Sequence, residues 1–383
     1  MSDKLLEDIL VVDFSQFLAG PLATLKLADF GARVIKIERP VAGDLCRNLY
    51  LSDVDINDTN TLFHAINRNK ESYSADLKKA DDLQKVKNLI KKADILVQNF
   101  RPSVMKRIGL DYDEVKKLNP NIIYASITGY GANKEWEKLP GQDLLAQAKS
   151  GLMWASGNNE DPPIPFGIAI ADQQAGNALV QGILAALVRR GTSGVGALVE
   201  TSLLEALIDF QFEVLTTHIN DPRKIIQKRS NISNAHSYLA APYGVYETQD
   251  GYVAIAMMDI DLFGKTIGCK ALEHMTNKEE WFIKRDEIKE ILAAFLIEKP
   301  TSFWIDIFVK HDIWASEVYD WDMLFASKGF QDLSCFQNLK LHDGKTIKTT
   351  RSPLVIDKDL IISETCAPNI GEHNKQIESQ FNL

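Results

Sequence analysis

The feature that most constrains the fold is a strand–helix–strand pattern near the start of the chain. Residues 9–14 (ILVVDF) form a nearly continuous apolar run, which is typical of a strand buried on both faces of a parallel sheet. Gly20 and Pro21 then begin a helical pattern, and residues 33–38 (RVIKIE) predict a second strand. Two strands and a helix within about 30 residues predict a βαβ unit.

The alternation of helices and strands continues along the chain. It predicts helices over 78–92 and 111–118 and strands over 93–100 and 121–128. This pattern predicts an α/β domain with a doubly wound parallel sheet.

The second half has a different character. Helices are expected over 142–153 and 172–190, followed by one long helix over 199–218. Residues 244–256 predict a β-hairpin that turns at Asp250 and Gly251, and helical patterns follow over 278–308. A second, smaller α+β domain is therefore expected to begin at residue 222.

Composition excludes several classes of protein. The chain has 383 residues, with 43 Lys and Arg against 52 Asp and Glu, and this acidic balance argues against nucleic acid as a partner. The four cysteines are far apart and the seven histidines show no ligand spacing, so neither a disulfide framework nor a metal site is expected. No signal peptide or membrane span is evident, and we expect a cytoplasmic protein.

Cationic side chains follow the predicted strands. In an open α/β sheet, ligands bind outside the carboxyl ends of the strands. Arg39, Lys70, Arg101 and Arg107 are expected near that edge, where they either bind a phosphate-bearing ligand or remain solvated loop cations. The first loop, SQFLAGP, has one glycine where a GxGxxG fingerprint needs three, which disfavours a nicotinamide cofactor.

Asp172 is the strongest candidate for a catalytic carboxylate. It follows an apolar segment and precedes a largely apolar helix. A carboxylate at a helix N-terminus stays ionised and can act as a nucleophile. The alternative is an ordinary N-cap, and the two roles are compatible.

Nearly the whole chain resembles the class III CoA-transferases, a family related to α-methylacyl-CoA racemase. The resemblance rests on segments from both ends of the sequence, and it is most specific in the first two hundred residues. The segments are VVDFSQFLAGPLATLKLADFGARVIKIERP (11–40), GDLCR (43–47), NRNKESYSADLK (67–78), ADILVQNFRPSVMKRIGLDY (93–112), NPNIIYASITGYG (119–131), GQDLLAQAKSGLM (141–153), IADQQAGNALVQGILAALVRR (170–190), PYGVYETQDGYVAIA (242–256), RSPL (351–354) and APNIGEH (367–373).

The resemblance implies a Rossmann-like large domain over 1–221, completed by 340–383, and a small α+β domain over 222–339. It also implies an interlocked homodimer. The implied activity is transfer of CoA from an acyl-CoA to a carboxylic acid, with no permanently bound cofactor and no ATP.

The resemblance also implies the roles of individual residues. The catalytic aspartate falls on Asp172, which would form an aspartyl anhydride and then an aspartyl-CoA thioester. The contacts to coenzyme A fall on Leu18, Ala19, Arg39, Asn69, Lys70, Asn99, Phe100, Arg101 and Arg107.

Two departures from the family pattern affect the substrate. Gln142 stands where the racemases have a histidine base, and glutamine does no acid–base work near neutral pH, so a transferase is favoured over an acyl-CoA racemase that uses Asp172 as its base. The glycine-rich loop of formyl-CoA transferase is missing from residues 228–241, where Ser230, Asn231 and His236, together with Gln142, are candidate substrate contacts. A non-catalytic acyl-CoA-binding dimer is the third alternative.

Overall fold

The computed structural model describes residues 4–49, 54–132, 134–222 and 228–383. The chain divides into two compact units. Unit 1 comprises Met1–Ala146, Ala169–Phe210 and Leu333–Leu383, and unit 2 comprises Gln147–Ile168 and Gln211–Asp332. The domain boundaries expected near residues 221 and 340 stay a prediction.

Unit 1 is built on a parallel sheet of six strands. The first eight strands of unit 1, β1 to β8, are Leu10–Asp13, Arg33–Glu38, Asp55–Ile56, Thr59–Asn60, Lys70–Ser74, Ile95–Gln98, Ile123–Thr128 and Ala197–Ser202. Strands β3 and β4 form a separate small hairpin, and the other six form the large sheet. The sheet order is β5-β2-β1-β6-β7-β8. Counting only these six strands, the order is 3-2-1-4-5-6, that of the doubly wound nucleotide-binding fold. The predicted α/β class is confirmed at this level.

The first eight helices of the described chain begin in unit 1. Helices α1 to α8 are Ala19–Asp29, Thr61–Ile66, Ala80–Ile90, Val104–Arg107, Tyr112–Leu118, Asp143–Ser150, Ile170–Ser193 and Leu203–Phe210. On one face of the sheet, α3 and α5 bury their apolar residues against Val12, Ile35 and Leu96. Buried apolar side chains on both faces explain why β1, β6 and β7 have nearly continuous apolar sequences.

Unit 2 holds a three-stranded antiparallel sheet surrounded by helices. Its strands β9, β10 and β11 are Gly244–Glu247, Tyr252–Ile255 and Ala315–Glu317, and its helices α9 to α14 are Phe212–Asn220, Ile260–Ile267, Arg285–Leu296, Thr301–Lys310, Trp321–Ala326 and Lys328–Asp332. Tyr246, Phe263 and Trp304 form part of its separate apolar core. The predicted hairpin over 244–256 is present as β9 and β10.

The last part of the chain belongs to unit 1. It forms β12 to β15 (Phe336–Lys340, Thr346–Thr350, Val355–Ile356 and Asp359–Leu360) and helix α15 (Asn374–Phe381). Helix α15 packs beside edge strand β5, where Asn374 Oδ1 accepts a hydrogen bond from Ser74 N at 2.8 Å. Ile377 of this helix is completely buried in the core of unit 1.

Two expectations about secondary structure are wrong. Residues 199–218 do not form one helix, because Ala197–Ser202 is edge strand β8, and α8 and α9 follow separately. Lys70 does not lie in a loop, since it begins β5. Among the described residues, none of the helices combines the length and hydropathy that crossing a bilayer requires.

Candidate active site

A cavity of about 1390 Å³ opens at the carboxyl edge of the six-stranded sheet. Its walls are the segments that follow β1, β2, β5, β6 and β7. It lies where β1 and β6 meet, the point at which the strand order reverses, and ligands of doubly wound sheets bind there.

The loop after β1 is held rigidly against this cavity. The side chain of Asn99 accepts a hydrogen bond from Gln16 N at 2.8 Å and donates one to Gln16 O at 2.7 Å. Asp44 Oδ1 accepts from Phe17 N at 3.2 Å, and Phe17 has a φ of 63°, in the left-handed region. The loop therefore directs its next residues, Leu18 and Ala19, into the cavity wall at the start of α1.

A buried network of charges lies beneath the loop. Asp13 is completely buried and accepts hydrogen bonds from Thr24 Oγ1 at 2.6 Å and Lys70 Nζ at 3.3 Å. Lys36 Nζ lies 2.8 Å from Asp44 Oδ2 and donates to Ser15 O at 2.7 Å. Burial acts to raise the pKa of Asp13, but Lys36 and Lys70 hold that pKa below its usual value.

Glu38, at the end of β2, is used structurally. Its two carboxylate oxygens accept from Arg47 Nε at 2.9 Å and Nη2 at 2.7 Å, a bidentate pair. Ser72 Oγ donates to the same carboxylate at 2.7 Å. Burial acts to raise the pKa of Glu38, but these donors and the Arg47 charge lower it. This buried ion pair fixes the segment after β2, from which Arg39 projects to the cavity.

Asp172 lies in the cavity wall, in the first turn of α7. The N-cap residue of α7 is Ala169, so the expectation that Asp172 is itself the N-cap is wrong. Asp143 caps the helix instead, because its Oδ1 accepts from Ala171 N at 2.7 Å and from Asp172 N at 3.2 Å. Burial, with the nearby Asp143 charge, raises the pKa of Asp172 from 3.8 to about 7.

Glycines allow the elements that carry these residues to approach closely. A Cβ on Gly129, just after β7, would lie 2.6 Å from Gly141 Cα, which brings Gln142 and Asp143 against the end of the sheet. A Cβ on Gly176 of α7 would lie 2.8 Å from Ala19 O, so α7 and α1 meet beside the cavity.

The structure brings most of the predicted site residues together in unit 1. Those that line the cavity are Leu18, Ala19, Arg39, Asn99, Phe100, Arg101, Arg107, Gln142 and Asp172. The side chain of Lys70 is completely buried and bonds Asp13, Pro21 O, Thr24 and Asn67, away from the cavity. Asn69 Oδ1 accepts from Glu364 N and Thr365 N, and so tethers the C-terminal segment.

The remaining substrate candidates lie in unit 2. His236 Nε2 is 3.5 Å from Glu213 Oε1, and Ser230 Oγ accepts from Lys289 Nζ at 2.9 Å. Asn231 N donates to Asp286 Oδ1 at 3.0 Å.

Sequence analysis missed two cations of the cavity, Lys78 and Lys79, and three of its carboxylates, Asp76, Glu137 and Asp143. Lys78 and Lys79 line it because they follow the carboxyl end of β5, a strand whose polar sequence KESYS hides its pattern. The sequence predicted no role for Asp143, which lies in the family segment 141–153. An acid at the start of α6, directly before Leu144 and Leu145, was the signal available for it. The described residues contain no cluster of three or more metal-ligating side chains.

Proteins of known function are similar to this chain along almost its entire length. The succinate–glutarate CoA-transferase of Agrobacterium fabrum is 30% identical, over 98% of this chain and 95% of its own length. The acetyl-CoA:oxalate CoA-transferase of Acetobacter aceti is 33% identical, over 79% of this chain and 78% of its own.

Solved structures agree with these relatives. The orthorhombic crystal form of Rv3272 from Mycobacterium tuberculosis superposes with a TM-score of 0.83 at 27% identity, covering 97% of this chain and 98% of that one. A CAIB/BAIF family protein from Brucella suis gives 0.83 at 26% identity, covering 98% of both chains. A family model described as CoA-transferase family III matches residues 6–374. The chain therefore belongs to CoA-transferase family III and is a CoA-transferase.

Proposed function

We propose that Asp172 is the nucleophile that carries CoA from an acyl-CoA donor to a carboxylic acid acceptor. The observation that carries this proposal is the position of its carboxylate, in the wall of a large cavity and in the first turn of α7. Among the described residues no donor bonds this carboxylate, and its pKa of about 7 leaves a substantial ionised fraction at neutral pH. A poorly solvated but ionised carboxylate is a reactive nucleophile.

The transfer proceeds in four balanced steps. The Asp172 carboxylate attacks the thioester carbonyl, which forms a mixed anhydride and releases CoA thiolate. The thiolate then attacks the Asp172 carbonyl carbon, giving an aspartyl-CoA thioester and the free donor acid. The acceptor carboxylate attacks that thioester, which forms a new anhydride and again releases CoA thiolate. The thiolate finally attacks the acceptor carbonyl of the anhydride, giving the acceptor's CoA thioester. Asp172 is regenerated, and one thioester has replaced another without ATP.

The cavity has the chemistry that coenzyme A needs. Arg39, Arg101 and Arg107 are exposed guanidinium groups that suit phosphate oxygens, and Phe100 offers an aromatic face for adenine. The first turn of α1, beginning at Ala19, presents N–H groups that lack intrahelical acceptors and favour anions. The CoA roles predicted for Lys70 and Asn69 are not supported by this geometry, since both side chains bond protein groups elsewhere.

Short dicarboxylic acids are the substrates to test first. The similar proteins from Agrobacterium fabrum and Acetobacter aceti are named for succinate, glutarate and oxalate. We therefore propose succinyl-CoA as donor and a dicarboxylate as acceptor. Because the named relatives are CoA-transferases, the racemase alternative is not favoured.

We also propose that the active protein is a homodimer. Unit 1 exposes apolar side chains on α7, β8 and α8, namely Val188, Leu198, Ile208 and Phe210. Separately, unit 2 exposes Phe212, Trp314 and Trp321. Burying such surfaces against a second copy would remove them from water. The cytoplasmic location stays a prediction.

Covalent labelling tests the role of Asp172. Wild type, Asp172→Asn and the control Asp113→Asn, which changes an exposed first-turn acid of α5, are mixed with succinyl-, acetyl- and butyryl-CoA and measured by intact-mass spectrometry. We expect an adduct on wild type and the control, removed by hydroxylamine and located on Asp172 by peptide mapping. An adduct of equal yield on Asp172→Asn would rule out this nucleophile.

A further inference from the structure

Asp143 makes the contact that begins α7. It is the first residue of α6, and its Oδ1 accepts from two successive N–H groups of the neighbouring helix, at 2.7 Å and 3.2 Å. Ala169, the N-cap residue of α7, has no side-chain oxygen, and its methyl group caps nothing. The cap is therefore supplied by a carboxylate from another element.

The cap that Asp143 supplies affects the ionisation of Asp172. Two of the N–H groups that would favour an ionised Asp172 are already bonded to Asp143, one of them the N–H of Asp172 itself. Asp143 also places a second negative charge beside Asp172. Both effects oppose ionisation of Asp172.

The charged groups on the other elements that pack against α7 are not among those that act on the Asp172 carboxylate. Helix α1 meets α7 through Ala19, Leu22 and Ala23, which are uncharged. Strand β8 carries Glu200, which accepts from Ser126 Oγ at 3.5 Å. Helix α8 carries Glu205, which accepts from Ser202 Oγ at 2.6 Å, and the exposed Asp209 near its end. Asp143 on α6 is the neighbour whose charge acts on Asp172 among the described residues.

We infer that Asp143 is a positioning residue that orients the first turn of α7 and holds a second negative charge beside the Asp172 carboxylate, and this inference rests on the proposed nucleophilic role of Asp172. The added charge keeps that carboxylate basic. A more basic carboxylate donates its electron pair more readily to a thioester carbonyl. The same basicity means that Asp172 loses reactivity at mildly acidic pH, when it is protonated.

The substitution Asp143→Asn separates charge from geometry. An asparagine keeps an oxygen at the position that accepts from Ala171 and Asp172, but removes the negative charge. We expect the acid limb of the pH profile of kcat/KM to move to lower pH by about 1 unit. The ratio of kcat/KM at about pH 6 to that at about pH 8 should rise about fivefold relative to wild type.

Asp113→Asn is the matched control, because it also removes a first-turn acid, the exposed Asp113 of α5. Its acid limb should coincide with that of wild type. An Asp143→Asn limb that also coincides with wild type would overturn the inference. A purely structural cap would lower kcat/KM equally at every pH and leave this ratio unchanged.

A second measurement does not use the Asp143→Asn variant, so it stands even if that variant fails to fold. Infrared difference spectra between wild type and Asp172→Asn report the protonated carboxyl band of Asp172. We expect this band to titrate near neutral pH, and titration near the ordinary value of 3.8 would overturn the inference. Failure of the proposed function is distinguishable, because it would appear as labelling of Asp172→Asn by acyl-CoA, whereas failure of this inference leaves labelling at Asp172 intact.

Discussion

Asp172 holds its proton more tightly in the folded chain than in water. Its pKa is about 7 in the fold, against an ordinary value of 3.8. Between these two values the folded state binds a proton that the unfolded state has lost. The free energy of unfolding therefore falls as pH rises from about 4 to about 7, and the full destabilisation is present above that range.

Replacing this group should stabilise the protein in a pH-dependent way. We expect Asp172→Asn to increase the free energy of unfolding by up to about 4 kcal/mol at about pH 8, with the gain vanishing below about pH 4. Urea denaturation over a pH series measures the difference. A gain that is equal at all pH values, or absent at about pH 8, would contradict a raised pKa.

The buried position of the Lys70 side chain could not be predicted from the sequence. Its position in the motif predicted an ammonium group available to a phosphate, but the side chain points into the protein and bonds Asp13 and Thr24. Burial lowers its pKa to about 8. Sequence spacing does not show that these distant residues meet. Asp172 was accessible to prediction because an isolated acid before an apolar helix is visible in the sequence alone.

At the scale of elements, prediction worked where burial leaves a clear pattern. The doubly buried strands β1, β6 and β7 are apolar runs and were identified. Edge strands β5 and β8 have polar or mixed sequences, so the first was missed and the second was assigned to a helix. Ser72 of β5 is polar because it bonds buried Glu38, a requirement that no periodicity reveals.

The loop after β1 offers a test at the same scale. Asn99→Ala removes the two hydrogen bonds that hold Gln16, and we expect a loss of about 1–3 kcal/mol in stability. We also expect weaker CoA binding, because Leu18 and Ala19 lose their fixed position. Calorimetric titration with CoA and thermal unfolding measure the two effects.

Asn119→Ala is the matched control for this prediction. The Asn119 side chain also bonds the backbone, donating to Ile90 O at 3.0 Å and Ala93 O at 2.7 Å and accepting from Asn121 N at 3.3 Å. It precedes β7 and lies away from the cavity. It should lose similar stability and keep the affinity for CoA. Equal CoA affinities of the two variants would contradict a positioning role for Asn99.

At the scale of the whole molecule, the chain crosses between its two units several times. Unit 2 takes Gln147–Ile168 and Gln211–Asp332, and the chain returns to unit 1 after each segment. The sequence changed character near residue 222, but the insertion of 147–168 into unit 2 left no compositional signal. Such discontinuity depends on contacts between distant residues, which a local pattern does not encode.

The proposed homodimer is tested by mass. Sedimentation equilibrium should give twice the chain mass of 42.9 kDa at all concentrations measured, since an interlocked pair cannot separate without unfolding. Chemical unfolding should then coincide with the loss of the dimer. A species of 42.9 kDa at low concentration, with its secondary structure intact, would contradict interlocking.

The position of α15 beside β5 has a consequence for biosynthesis. The strands of the large sheet are complete once Ser202 has left the ribosome, but the core that receives Ile377 stays open until α15 is made. At typical rates of translation that interval lasts about 10–35 s, during which the larger segment of unit 2, Gln211–Asp332, is synthesised. During this interval the nascent chain exposes the apolar surface that Ile377 later covers. Chaperones that bind apolar surfaces can therefore bind there until α15, which begins at Asn374, has emerged.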